Sequence, residues 1–245
     1  MLVDVHTHLD LIEKEGKDID VIIKNAKGFA AIISNGTRPE SNRKVLEYAK
    51  KYKNVKPALG IYPGHVEELS DKEIEKEIEF IKKSKPFAIG EVGLDLKHYK
   101  NLTKQKKYLK KFIQLAKELE IPMLIHSWAA EKETIEFLEK NKAEKVVMHC
   151  FCGNKELTDK GLALGYYYTI PTAITKSKTF RKLAKRVPLN RLLTETDAPY
   201  LSPREWPNEP AFIKDSIKKI AEIKKITQEE LEKIIYMNYQ TLFLK

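Results

Sequence analysis

The sequence predicts an α/β fold: a (β/α)8 TIM barrel with an extra helix at the C-terminal end. Three observations lead there. Short β-like runs alternate with longer amphipathic stretches eight times. The 245 residues, 42% of them hydrophobic, match the usual size of such a barrel and suffice for one large core. No glycine-rich loop follows the first strand, as an open doubly wound sheet would require. A single catalytic domain spanning 1–245 is therefore expected.

The β-like runs are "LVDVHTH" (2–8), "FAAIISNG" (29–36), "VKPALGIY" (55–62), "PFAIGEVG" (86–93), "PMLIHSW" (122–128), "KVVMHCF" (145–151), "YYYTIPT" (166–172) and "RLLTETD" (191–197). On the first of these, alternation places Asp4, His6 and His8 on one side and Val3 and Val5 on the other. Between strands, 70–84 opens with the capping box Ser70-Asp71-Lys72-Glu73, and 103–120 carries Tyr108, Phe112, Leu115 and Leu119 at helical spacing. After the eighth strand comes the proline-rich "DAPYLSPREWPNEP", then a helix over about 210–225, and a last helix behind a second capping box at Thr227.

No apolar run reaches the roughly 20 residues of a membrane span, and the opening residues lack a signal-peptide pattern, so a cytoplasmic protein is the expectation. Cys150 and Cys152 are the only cysteines, which excludes a disulfide scaffold. They are read as reduced thiols. The net charge of +10 favours polyanionic partners, although Lys/Glu-rich surfaces also occur on thermophilic proteins for other reasons.

Catalytic groups of a barrel gather where its strands end. Those ends supply His6 and His8 on strand one, Glu91 on strand four, His126 on strand five, His149 on strand six, and Asp197 on strand eight. Parity places Leu193, Glu195 and Asp197 on one face. Each residue alone has an ordinary structural explanation. Together, so many polar groups in one mouth are costly unless a shared ion satisfies them. Imidazole with carboxylate suits Zn, Mn, Fe or Co, with Mg a poorer match to nitrogen ligands. Six ligands exceed what one open catalytic site needs. They suit two divalent ions roughly 3.5–4 Å apart with a bridging carboxylate.

"DVHTHLD", "AIGEVGLD", "IHSW", "MHCFCG", "TETDAPYL" and the closing "NEP…NYQTLF" together resemble the TatD-type metal-dependent deoxyribonucleases, among the amidohydrolase-like barrels. The resemblance runs from residue 4 to residue 243. It implies a barrel of the metal-dependent hydrolase type that cleaves DNA phosphodiesters, often from the 3′ end of single strands. It also implies that His6, His8 and Asp197 hold one metal, that His126 and His149 hold a second, and that Glu91 bridges them. Glu195 matches the acidic residue of the family's "ETD", a place from which it would support the site or hold a further ion. Two departures stand out. The family often has Gly-x-His-Pro-His after strand three, where this chain has "GIYPGH" with Tyr62 first and His65 displaced by one. Trp128 stands where the family commonly has an arginine.

The leading expectation is a nuclease in which Asp197 and Glu91 are catalytic and Asp197 accepts the proton of the attacking water. Tyr62, His65, Lys97, Trp128, Arg204 and Trp206 are candidates for holding phosphates and stacking bases. For each of these, loop packing or a solvated charge is the competing explanation. A second reading keeps the barrel and metals but hydrolyses a small amide, ester or lactone, or an aminoacyl ester on RNA. Related barrels of that sort often bridge their metals with a carboxylated lysine on strand four, where this chain has Glu91. A binding module without catalysis is the third reading, and a closed structural site seldom needs six ligands.

Overall fold

The computed structural model describes residues 1–245. Eight parallel strands follow one another around a sheet in chain order: β1 (Val3–Thr7), β2 (Ala31–Asn35), β3 (Val55–Leu59), β4 (Ala88–Gly93), β5 (Met123–His126), β6 (Val146–Met148), β7 (Tyr167–Pro171) and β8 (Leu192–Glu195). Nearly all their residues are buried on both faces, which is why they read as continuous apolar runs. β8 returns beside β1. Thr194 Oγ1 donates to the Val3 carbonyl at 2.9 Å, Thr196 N–H to Asp4 Oδ1 at 2.9 Å and Asp197 N–H to the His6 carbonyl at 2.9 Å. The result is a nearly closed TIM barrel.

The outer helices are α1 (Leu9–Lys14), α2 (Ile19–Asn25), α3 (Pro39–Lys51), α4 (Pro63–Glu68), α5 (Asp71–Ser84), α6 (Leu102–Leu119), α7 (Glu131–Lys140), α8 (Lys155–Ala163), α9 (Lys178–Arg186), α10 (Ile213–Lys224) and α11 (Gln228–Phe243). The expected capping box forms in full: the Ser70 side chain accepts the Glu73 N–H, and Glu73 reaches back to the Ser70 N–H. In α6, Tyr108, Phe112 and Leu115 are buried as their spacing predicts. The helix expected over 210–225 begins as a short 3-10 turn at Pro210–Phe212 before α10 takes over.

One large apolar core of 51 buried residues joins the strands to helices α3 to α7 and α9 to α11. A smaller cluster of 7 buries Leu9, Ile12, Ile19 and Ile22 of α1 and α2 against Tyr48, Val55 and Ala198. No helix is long and apolar enough to cross a membrane.

Candidate metal centre

Three of the six expected ligands lie beyond the strands that were expected to carry them. β1 ends at Thr7, and His8 lies beyond it as the residue that starts α1. β8 ends at Glu195, and Asp197 follows in a left-handed backbone conformation, φ +56°. Aspartate tolerates that region better than most residues, and strain of this kind collects at functional sites. The turn, and not strand parity, brings Asp197 inward. His149 also lies just past its strand, since β6 ends at Met148.

All six side chains nevertheless converge. His6 Nε2 and His8 Nε2 are 3.2 Å apart. Glu91 Oε2 lies 3.6 Å from His6 Nε2 and 3.4 Å from His8 Nε2. Its other oxygen, Oε1, lies 2.8 Å from His126 Nδ1 and 3.7 Å from His149 Nε2. One carboxylate thus turns one oxygen to each histidine pair. Asp197 Oδ1 stands 3.7 Å from His6 Nε2, 3.5 Å from His8 Nε2 and 4.0 Å from His149 Nε2. The rings of His6 and His149 stack with centroids 3.7 Å apart.

Three histidines are fixed from behind. His8 Nδ1–H donates to the Asn35 carbonyl at 2.9 Å, which turns Nε2 to the cluster. His149 Nδ1–H donates to Glu195 Oε2 at 2.8 Å, while Glu195 Oε1 accepts the Cys150 N–H at 3.0 Å. His126 is oriented the other way round. Its Nε2–H donates to Asp95 Oδ2 at 3.2 Å, leaving Nδ1 to face Glu91. Such partners set the tautomer and basicity of metal-binding imidazoles. His6 Nδ1 is buried without any partner. Gly93 makes room for this arrangement: at φ +152°, a Cβ there would meet the His126 carbonyl oxygen at 2.0 Å.

The electrostatics are those of a cation site. Burial opposes charge on Glu91, yet His126 and His6 hold its carboxyl well below the ordinary range. Burial likewise opposes charge on His8 and His149, but it is outweighed. Asp197 and Glu91 push His8 up to about 9, and Glu195 and Asp197 push His149 up to about 10. Burial, with His149 beside it, lowers His6. Three triads of these groups have ligand atoms within 4.8 Å of one another: His6, His8 and Asp197; Glu91, His126 and His149; and His6, His149 and Glu195. Buried nitrogen and carboxylate donors facing one another at these distances fit divalent transition ions.

The family model described as "TatD related DNase" matches residues 3–244. The chain belongs to the TatD-related DNase family. It is a TatD-family metal-dependent hydrolase, and its relatives carry such names. The human deoxyribonuclease TATDN3 is 33% identical over 261 residues, covering 100% of this chain and 95% of that protein. The metal-dependent hydrolase MJ1582 of Methanocaldococcus jannaschii is 36% identical over 240 residues, covering 96% and 94% respectively. Among solved structures, the TatD homolog YJJV of Escherichia coli K12 superposes with a TM-score of 0.89 at 27% identity, covering 100% of this chain and 98% of that one.

The residues expected to contact substrate are less uniformly placed. Tyr62 does reach the TatD centre. Its ring meets His126 edge-on at 4.9 Å, and its hydroxyl donates to Asp95. Trp128 is 50% exposed and edge-on to His98 at 4.9 Å, open to a ligand from solvent. Lys97 donates its backbone N–H to Asp95 Oδ1 and enters no ion pair. His65 instead pairs with Glu68 at 2.9 Å within α4, its ring 5.9 Å from that of Tyr62. Arg204 is likewise engaged elsewhere: its fork is occupied by Asp215, with bonds of 2.9 and 3.1 Å. Trp206 donates its indole N–H to Glu15 at 2.9 Å and lies 5.8 Å from the Tyr200 ring. Cys150 and Cys152 are free thiols.

Two contributors went unassigned in the sequence, although both lie within quoted motifs. Asp95 ends "GEVGLD" and orients His126. Burial opposes its charge, but His126 and Tyr62 hold it down to about 2. Asn208 of "NEP" is fully buried and donates to the Thr196 and Tyr200 carbonyls and to Thr172 Oγ1, which ties the loop after Asp197 to the mouth.

Removing these supports should weaken metal binding without deleting a ligand. Glu195→Gln and Asp95→Asn are each expected to lower metal affinity about 10–100-fold. Competition titration against a chelator measures it, and unchanged affinity in both variants contradicts the orienting role.

Proposed function

We propose that the chain is a two-ion phosphodiesterase that releases mononucleotides from the ends of single-stranded DNA. The observation that carries the reading is the division of Glu91 between two histidine pairs, Oε2 to His6 and His8 and Oε1 to His126 and His149. His6, His8 and Asp197 would hold one divalent ion and His126 and His149 the other, with Glu91 shared. When bound, such ions supply Lewis-acid stabilisation of phosphate oxygens and a water acidic enough to attack near neutral pH.

The chain's own groups do the rest. Asp197 has the most exposed side chain of the six, at 14%, and histidines hold its carboxyl ionised against the pull of burial. It accepts the proton of the attacking water. The Tyr62 hydroxyl and the exposed Trp128 ring flank the same mouth, the tyrosine as a polar contact and the tryptophan as a stacking surface. The loop after Asp197, pinned by Asn208, Trp206 and Arg204, walls one side of the mouth. A mouth walled in this way would admit a strand end and stop a continuous strand from passing through. The human relative's name as a deoxyribonuclease and the net charge of +10 support nucleic acid as the substrate class.

The test is metal-reconstituted protein assayed against single-stranded DNA, duplex DNA, RNA and a panel of small esters, amides and lactones. Mononucleotide release from single-stranded ends is expected, and it should weaken as salt rises because phosphate contacts release counterions. Turnover of a small amide, ester or lactone with no cleavage of nucleic acid would overturn the reading.

Proton linkage provides a second check. His8 and His149, raised to about 9 and about 10 without metal, carry protons at pH 7, whereas a ligating imidazole must be neutral. Metal binding at pH 7 should release protons from these imidazoles and from His126, where burial is likewise outweighed by Asp95 and Glu91, which raise it, and affinity should fall as pH is lowered. The metal-free fold behaves oppositely. Stability from these imidazoliums is complete below the ordinary histidine value of 6.5 and is lost as pH climbs through about 9 and 10. Calorimetry in two buffers of different ionisation enthalpy counts the protons, and a count of zero contradicts the charge states.

A further inference from the structure

Helix α9 is strongly basic and opens at the mouth of the barrel. Its sequence, KTFRKLAKR, holds five cations and no carboxylate. Phe180, Leu183 and Ala184 bury its inner side. The two arginines are engaged: Arg186 pairs with Asp159, and Arg181 donates to the carbonyls of Ile174 and Thr175. Lys178, Lys182 and Lys185 are exposed and have no ion-pair partner. Spaced i, i+4 and i+7, they share one helix face. Some cations on neighbouring helices are compensated, as where Lys107 and Lys111 of α6 meet Asp71 and Glu75.

The row starts at the mouth. β7 ends at Pro171, and the next residue, Thr172, donates its hydroxyl to the Thr196 carbonyl, one residue before Asp197. Lys176 donates its Nζ to the Ser202 carbonyl in the loop that follows Asp197, at 3.3 Å. From there the three lysines run down the outside of the barrel over about 10 Å, at 1.5 Å of rise per residue.

We propose that Lys178, Lys182 and Lys185 form a phosphate-binding track for the part of a nucleic-acid strand outside the mouth. The inference rests on the phosphodiesterase reading and extends it from the scissile bond to the rest of the substrate. Three uncompensated charges in line match a chain of regularly spaced anions, whereas a small ester at the cluster would not extend to them. Lysines on flexible stems act as point charges, so the track grips backbone without reading sequence. It supplies affinity for long strands and takes no part in bond cleavage.

The experiment compares the metal-loaded wild type with two triple variants. One carries Lys178→Gln, Lys182→Gln and Lys185→Gln. The other makes the same charge change with Lys24→Gln, Lys27→Gln and Lys53→Gln, around a cleft below the N-terminal ends of β2 and β3. Each is assayed on a long single-stranded oligonucleotide and on bis(p-nitrophenyl) phosphate. The α9 variant should raise KM for the oligonucleotide about tenfold and flatten its log–log salt slope by about 2, at about 0.7 per lost single-strand contact. Its kcat on the oligonucleotide and its turnover of the small diester should stay unchanged, and the control variant should behave as wild type.

Equal KM changes in the two triple variants would reveal only a general field and overturn the track. So would an unchanged KM and salt slope with oligonucleotide cleavage intact, an outcome that leaves the phosphodiesterase reading standing. Failure of the wild type to cleave any phosphodiester would instead overturn that reading, and the track with it.

Discussion

Glu91→Ala is expected to lower the metal content of both halves of the cluster at once. Each Glu91 oxygen faces a different histidine pair, at 3.4–3.6 Å on one side and 2.8–3.7 Å on the other. On the two-ion reading, deleting the carboxylate removes the one group that turns an oxygen to each histidine pair, leaving Asp197 as the remaining carboxylate within 4.0 Å of His6, His8 and His149. The remaining imidazoles of His6, His8, His126 and His149 would then crowd a buried space with reduced compensation, which is costly. Elemental analysis after dialysis should give well below one ion per chain, and phosphodiester turnover should fall at least about 10³-fold, a loss in the range seen when charge stabilisation is removed. Full metal content with full activity would remove Glu91 from the centre.

Asp197→Asn separates chemistry from folding. Its carboxylate lies within 4.0 Å of three histidines, yet it is the most open of the six groups. Asparagine preserves size and, like aspartate, tolerates the left-handed backbone at φ +56°. The turn is therefore kept while the carboxylate proposed as proton acceptor and anionic ligand is lost. A fall in kcat of about 10²–10⁴-fold is expected, with little change in thermal midpoint in the absence of metal. Unchanged kcat would assign the proton transfer elsewhere.

The barrel and most of the cluster were legible in the sequence because buried parallel strands announce themselves. Runs such as "AIISN" and "MLIH" are apolar on both faces, and histidine or carboxylate at their ends has few reasons to be there. The capping box at Ser70 marked a helix start correctly because it depends only on neighbours three residues apart. Alternation misplaced His8, His149 and Asp197 on strands, because each sits one or two residues beyond a strand's end. The short α4 escaped notice because six residues are too few to establish a period, although Pro63 at its first turn was a cue.

Asp95 and Asn208 were present in quoted motifs but had no assignable role. Their partners, His126 and Thr172, lie 31 and 36 residues away in the chain and meet them only in the fold. The pairing of Arg204 was hidden for the same reason: Asp215, 11 residues on, takes its guanidinium. The α9 lysines stood out only once Asp159 could be seen to pair with Arg186, which leaves them without a carboxylate.

The central claim is that Glu91 divides one cluster between two ions, and crystals of Mn²⁺-reconstituted protein test it directly through anomalous scattering. Two peaks are expected, one among His6, His8 and Asp197 and one beside His126 and His149, with a Glu91 oxygen bonded to each. A single peak, or two peaks neither of which is bonded to Glu91, would contradict the account.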